Sequence, residues 1–300
     1  MSEPLLNHVD CPDSRSGHRM AYWEWGASDA KHVVLCVHGL SRQGRDFDVL
    51  ARALVERSGG AVRVVCPDVV GRGQSDWLPD PADYQIATYA ADMVALLVRL
   101  QSSTHVLDWV GTSMGGLIGM ALAGQKQFPL PVPVRRMVLN DVGPVIEWEA
   151  IARIGQFLGR VVQFDSVQQA ADTMWATSAS FGPHTPAQWL ELSRHMVKPA
   201  AGSATAVTLH YDPAIALAFG AMTQESAAQG EAMLWQLYDG IEAPTLLLRG
   251  ADSDLLSRST ARQMGERGPK ARLVEFAGVG HVPTLIASDQ VDAVASFLLA

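Results

Sequence analysis

The chain has 300 residues, a formal net charge of −8 and a pI near 5.5, long enough for one large α/β domain or two small ones and too acidic for a nucleic-acid binder. Its 48% hydrophobic and 18% charged content excludes a disordered chain, and no run of about 18 apolar residues offers a membrane span. Met1 to Gly17 is polar, with Asp10, Pro12 and Asp13 where the apolar part of a leader would lie, so a cytoplasmic location is expected.

Arg19 to Trp25 and His32 to Val37 read as strands; the second is a nearly continuous apolar run, as in a strand buried on both faces. Gly44 to Arg57 reads as a helix with Phe47, Leu50, Ala51, Leu54 and Val55 on one face. Val62 to Cys66 is the next strand, closed by Pro67. Ile86 to Leu100 is helical, with Ile86, Ala90, Met93, Leu97 and Leu100 on the helical period. His105 to Val110 and Arg136 to Leu139 are strands bracketing a helix over roughly Met114 to Gln125. From about Val145 to Tyr238 strand signals vanish, and helical stretches rich in Trp, Phe, Met and Ala take over. The rhythm then resumes with a strand at Thr245 to Leu248, a helix at Ser259 to Arg267, a strand at Arg272 to Phe276 and a last helix at Val291 to Leu299. The alternation predicts a mostly parallel central sheet with helices on both faces. The core is expected over residues 1–144 and 239–300, and residues 145–238 as a helical cap inserted over the sheet edge. Ligands of such sheets bind beyond the C-terminal ends of the strands.

Three cysteines, Cys11, Cys36 and Cys66, form neither a disulfide framework nor a zinc site. Cys36 and Cys66 lie in apolar runs and are expected as core residues. No His/Cys cluster has ligand spacing, so neither a metal nor another cofactor is implied.

Gly111-Thr112-Ser113-Met114-Gly115 lies between the strand Val106 to Val110 and a helix start. A Gly-x-Ser-x-Gly turn at a strand–helix junction is so tight that its flanks must be small, and it lifts the serine hydroxyl clear of the backbone. The helix N-terminus turns its free N–H groups toward that apex. A phosphate-binding loop is the competing reading, but no Lys follows and the dinucleotide glycine spacing is missing. Ser113 is therefore the candidate nucleophile. His38-Gly39-Leu40 ends the strand from His32, where the amide of Leu40, with that of Met114, is placed to face an oxyanion. His38 itself precedes the glycine turn and is expected to be structural.

A serine hydroxyl needs a base, and the base an orienting carboxylate. Of nine histidines His281, in Gly278-Val279-Gly280-His281-Val282-Pro283, follows the last strand and is the candidate base. His184, His195 and His210 fall in the expected cap and are read as packing or surface residues. Three aspartates end strands: Asp254, taken first, then Asp141, then Asp252. Either strand end can bring a carboxylate to the far side of the imidazole.

Taken together, His38-Gly39, Gly71-Arg72-Gly73-Gln74-Ser75-Asp76, Gly111 to Gly115, the Asp252/Asp254 loop and Gly280-His281 resemble the α/β-hydrolase superfamily over about residues 19–144 and 240–298. Leu139-Asn140-Asp141-Val142-Gly143-Pro144 is similar to a bacterial esterase-like subgroup, in which some members draw the acid from that aspartate. The resemblance implies that Asp68 and Arg72 brace loops and do no chemistry. It also implies an acid three residues after the strand-ending glycine; here that position is Ser253, flanked by two aspartates.

The expected function is hydrolysis of a small, largely apolar ester, lactone or thioester through an acyl-Ser113 intermediate, with a Ser–His–Asp triad. The resemblance also allows hydroxyalkanoate-oligomer hydrolases, enol-lactonases and carbon–carbon bond hydrolases. A cofactor-free dioxygenase on the same fold would tolerate a serine-directed inhibitor, and a non-catalytic ligand-binding member would turn over no ester. Trp148, Trp175, Met174 and Trp235 are expected in the substrate pocket, although packing explains most such residues. The expected partner is a small ester-like molecule, with no nucleic acid and no membrane; the pattern does not specify an oligomeric state.

Overall fold

Six strands in the chain run parallel because a helical crossover between each and the next returns the chain to the same edge. The computed structural model describes residues 3–12, 17–127 and 129–300. Its strands are β1 (Leu5–Cys11), β2 (His18–Trp25), β3 (His32–Val37), β4 (Val62–Pro67), β5 (Val106–Thr112), β6 (Val134–Asn140), β7 (Gln163–Phe164), β8 (Val197–Pro199), β9 (Val207–Leu209), β10 (Thr245–Gly250) and β11 (Arg272–Phe276). Its α-helices are α1 (Asp48–Arg57), α2 (Ile86–Leu100), α3 (Met114–Ala123), α4 (Trp148–Phe157), α5 (Val167–Thr177), α6 (Pro186–Arg194), α7 (Ile215–Gly220), α8 (Gln224–Asp239), α9 (Arg258–Glu266) and α10 (Ser288–Leu298).

The main sheet has the order β1-β2-β4-β3-β5-β6-β10-β11, antiparallel only at β1–β2 and β2–β4. The mostly parallel sheet read from the sequence is thus present, with one strand more than expected. That strand, β1, is an edge hairpin partner of β2 whose polar alternation hid it.

Alternation along the strands divides the core between the two faces of the sheet. Val33, Leu35 and Val37 join one apolar cluster with Trp109, Met137, Leu139 and Leu247. Val34 and Cys36 join the other with Val110, Val138, Leu246 and Leu248. Each fully buried aliphatic side chain here contributes about 1.5–3 kcal/mol. Cys11, Cys36 and Cys66 are free thiols buried in this core.

Between β6 and β10 the chain runs through α4 to α8. The expectation of an all-helical segment fails in one respect: β7, β9 and β8 form a small antiparallel sheet. These strands are two or three residues long, too short for a two-residue period to show. Their inward side chains Phe164, Val197 and Val207 bury with Ala170 in a satellite core. The segment is tied to the body at the loop after β4: Tyr84 donates to Asp212 at 2.6 Å, and the Gly73 and Asp212 amides bond His210 O and Gly71 O at 3.0 and 2.7 Å. It rejoins the body within α8, where Tyr238 is fully buried in the main core.

Candidate active site

β5 ends and α3 begins at Ser113, which has φ 50° and ψ −116°, a backbone conformation that points the side chain out of the turn. The turn closes only because its flanks have no side chains. A Cβ on Gly111 would lie 2.4 Å from Gly115 O, and one on Gly115 would lie 2.0 Å from Val37 O. The Ser113 amide donates to Asn140 O at 3.0 Å, locking the apex to the end of the neighbouring strand β6.

His281 is carried by the loop between β11 and α10. Asn140 Nδ2 donates to Pro283 O at 2.9 Å and so moors this loop to β6. The imidazole faces Ser113 with Nε2 at 3.1 Å from Oγ, and faces Asp141 with Nδ1 at 2.7 Å from Oδ2. A carboxylate has only acceptors, so Nδ1 carries the proton and the lone pair of Nε2 is turned to the serine hydroxyl. The His281 side chain is 10% exposed and that of Asp141 fully buried.

Asp141 follows β6 directly and has φ 56°, in the left-handed region where aspartate is among the better tolerated residues. Three donors converge on its carboxylate: the Gly250 amide at 3.0 Å, Ser253 Oγ at 2.7 Å and His281 Nδ1. Satisfied in this way, a buried charge is tolerable. The other two aspartates are elsewhere. Asp254, taken first from sequence, is half-exposed and accepts from Arg153 Nε and Nη2 at 2.9 and 2.7 Å, away from the imidazole. Asp252 is exposed, and its amide donates to Val279 O. The physical reason is the loop after β10: it turns Ser253 inward, so its neighbours point outward. Ser253, at the place where the resemblance implies an acid, instead donates its hydroxyl to Asp141 at the end of the neighbouring strand β6.

His38 is fully buried, with Nδ1 donating to Gly39 O at 2.7 Å and Nε2 accepting from the Val69 amide at 2.9 Å. Burial pushes its pKa down to about 3, so it is a neutral strut between two loops. Asp68 accepts from the Gly44 and Gln74 amides and from Trp23 Nε1, and burial raises it to about 6 against those bonds. Arg72, also fully buried, donates to Leu40 O at 2.8 Å and Val70 O at 2.7 Å and lies 3.6 Å from Met114 Sδ. The Leu40 and Met114 amides themselves have no acceptor among the described residues.

Two cavities meet at Ser113. One, of about 570 Å³, is walled by His281, Arg42, Asp46, Met174 and Phe181. The other, of about 560 Å³, is walled by apolar residues including Met114, Leu117, Tyr89, Ile151 and Ile215. Leu40, Ser113 and Ile154 border both. Of the pocket residues expected from sequence, Met174 is on a wall and the three tryptophans are not. Trp175 packs against Trp189 at 5.7 Å, Trp235 lies between Tyr238 and the Arg267 guanidinium, and Trp148 opens α4 half-buried. Large aromatic rings bury most area against each other, which explains the difference. Arg42 and Asp46 were not anticipated, since no spacing in the sequence marks them as pocket residues.

The model of the alpha/beta hydrolase family matches residues 34–297. The chain is 46% identical over 291 residues to a 3-hydroxybutyrate-oligomer hydrolase of Cupriavidus necator, covering 97% of this chain and 96% of that protein. It is 28% identical over 272 residues to an sn-1-specific diacylglycerol lipase of Mus musculus, covering 89% and 80%. Among solved structures, an alpha/beta hydrolase from Novosphingobium aromaticivorans superposes with a TM-score of 0.82 at 33% identity, covering 100% and 99%.

Proposed function

The chain belongs to the alpha/beta hydrolase family, and on that premise we propose that it hydrolyses carboxylic esters through an acyl-Ser113 intermediate, with short oligoesters of 3-hydroxybutyrate as the substrate class. The observation that carries the mechanism is the unbroken line from Asp141 through His281 to Ser113, at 2.7 and 3.1 Å. The substrate class is supported by near full-length identity of 46% to a hydrolase of such oligomers.

His281 Nε2 takes the Ser113 proton as Oγ attacks the ester carbonyl, and Asp141 stabilises the imidazolium. The developing oxyanion is met by the Leu40 and Met114 amides and the N-terminus of α3, each amide worth about 2.7–4 kcal/mol in the transition state. His281 then protonates the departing alcohol and activates water against the acyl-enzyme. The segment between β6 and β10 serves as the cap, walling both cavities with Ile154, one of them with Phe157 and Met174 and the other with Ile151 and Ile215. Among the described residues no helix is long and apolar enough to cross a membrane, and three free buried thiols suit the cytoplasmic location expected.

The test is a p-nitrophenyl ester chain-length series, together with the linear 3-hydroxybutyrate dimer, for wild type and Ser113→Ala. Turnover by wild type and its loss in the variant are expected. Retained ester hydrolysis by Ser113→Ala overturns the acyl-enzyme, and no cleavage of any ester by wild type overturns the activity.

A further inference from the structure

An acyl-transfer site has two sides, and the base defines which is which. The imidazole that accepts the serine proton must deliver it to the oxygen that leaves, so the alcohol portion lies on the side of the histidine. The acyl portion, with its carbonyl oxygen on the amides of Leu40 and Met114, extends the other way. Here His281 walls only one of the two cavities that meet at Ser113, and Met114 walls only the other.

The two cavities differ in charge. The wall of the acyl-side cavity has no charged residue. The His281 side has two cations, Arg42 and Arg153, and one carboxylate, Asp46. Arg153 is 43% exposed and engaged by Asp254, so it belongs to the rim. Arg42 is deeper, 15% exposed. The position a Cβ would take on Gly39 is 3.7 Å from Arg42 Cγ and 3.7 Å from Ser113 Cβ, so the arginine stem and the serine Cβ are at most about 7.4 Å apart across Gly39. Its Nε and Nη2 hold Asp46 at 2.6 and 2.8 Å, while Nη1 makes no hydrogen bond among the described residues. Burial pushes the Asp46 carboxyl above its ordinary range, opposed by Arg42.

We propose that the cavity walled by His281 is the alcohol side of the ester and that Arg42 takes the free carboxylate of the departing alcohol, so that a hydroxy acid is removed from the carboxyl end of a short oligoester. This rests on the ester-hydrolase reading above. In the step concerned, the Ser113 Oγ–carbonyl carbon bond forms and the bond from that carbon to the alcohol oxygen breaks. The serine proton passes through His281 Nε2 to the released oxygen, giving the free hydroxy acid. Water then cleaves the acyl-enzyme, returning its proton to Ser113 and leaving the shortened acid.

The experiment compares the 3-hydroxybutyrate dimer with its methyl ester, in which a methyl group removes the charge at the alcohol-side end, and follows cleavage of the internal ester bond in both. Wild type is expected to prefer the free acid, and Arg42→Gln to lose about 10- to 100-fold in kcat/KM on the acid, mainly through KM, with a much smaller loss on the methyl ester. Asp46→Asn releases Arg42 from its partner and is expected to lower KM for the acid; a variant that only loosened the loop would raise KM for both. Equal losses on acid and ester in Arg42→Gln, or collapse of the preference in Arg153→Gln instead, overturn the assignment to Arg42 while leaving ester hydrolysis intact. Failure of wild type to cleave either compound overturns both readings. With a trimer isotopically labelled in its carboxyl-terminal unit, labelled monomer is expected first; unlabelled monomer first overturns the orientation.

Discussion

Replacing Asp141 with Asn changes one oxygen to an NH2 in a pocket that offers only donors. The carboxylate accepts from Gly250 N, Ser253 Oγ and His281 Nδ1. If the amide turns its NH2 to His281, Nδ1 must become the acceptor, the proton moves to Nε2, and the base is lost. If it turns the other way, the NH2 meets the Gly250 N–H in a fully buried site. Loss of the productive tautomer costs about 10⁴ in kcat in triads of this kind, near 5 kcal/mol. Asp254→Asn removes only a half-exposed ion pair with Arg153, worth about 0–1 kcal/mol of stability, and is expected to keep kcat within about two-fold. Burst and steady-state kinetics on p-nitrophenyl butyrate, with thermal melts to check folding, separate the two variants. A crippled Asp254→Asn beside a near-normal Asp141→Asn would refute the reasoning from geometry to role.

Three further outcomes follow from the same structure. Because Ser253 Oγ is 2.7 Å from the Asp141 carboxylate, adding Ser253→Asp to Asp141→Ser is expected to recover at least about ten-fold of kcat over the single variant; rates no better than those of Asp141→Ser would count against a shared position for the acid. His38 titrates at about 3 when folded against an ordinary 6.5, so the unfolded chain binds the extra proton between those values. Its stability contribution is complete above pH 6.5 and falls with acidification by up to about 1.4 kcal/mol per pH unit. Asp68, raised from 3.8 to about 6, has the opposite slope between those values and offsets it, so the clean measurement is the urea-denaturation difference between wild type and His38→Gln from pH 7 to 4. A difference that does not change with pH would remove His38 as its source. Gly115→Ala, whose methyl would meet Val37 O at 2.0 Å, is expected to destabilise by about 3 kcal/mol or more, read as a drop in Tm; an unchanged Tm would mean that the turn has slack.

What could be read from the chain before its structure was local. The tight Ser113 turn and the apolar strands announce themselves within a few residues, because glycine contacts and buried faces impose a short-range pattern. His281 was reachable through its order after the last strand. The carboxylate that meets its imidazole was not, since Asp141 and Asp254 both follow strands, and only the inward turn of Ser253 decides between them. β1 was missed because an edge strand with one solvated face reads as polar, and the three tryptophans were placed in the pocket because composition cannot tell a ring that lines space from one that fills it. Arg42 and Asp46 belong to the same class: their place on the wall of a cavity shared with Ser113 is a product of the loop's path and not of any spacing.

Arg72 grips the carbonyl of Leu40 and lies against the sulfur of Met114 with one buried, planar guanidinium. Two segments that are 74 positions apart in the chain are therefore bridged by one buried side chain. That bridge is set when the core folds, and its ordering entropy is spent then. On the proposed mechanism, little of the substrate's binding energy is diverted to ordering the segments that carry the Leu40 and Met114 amides.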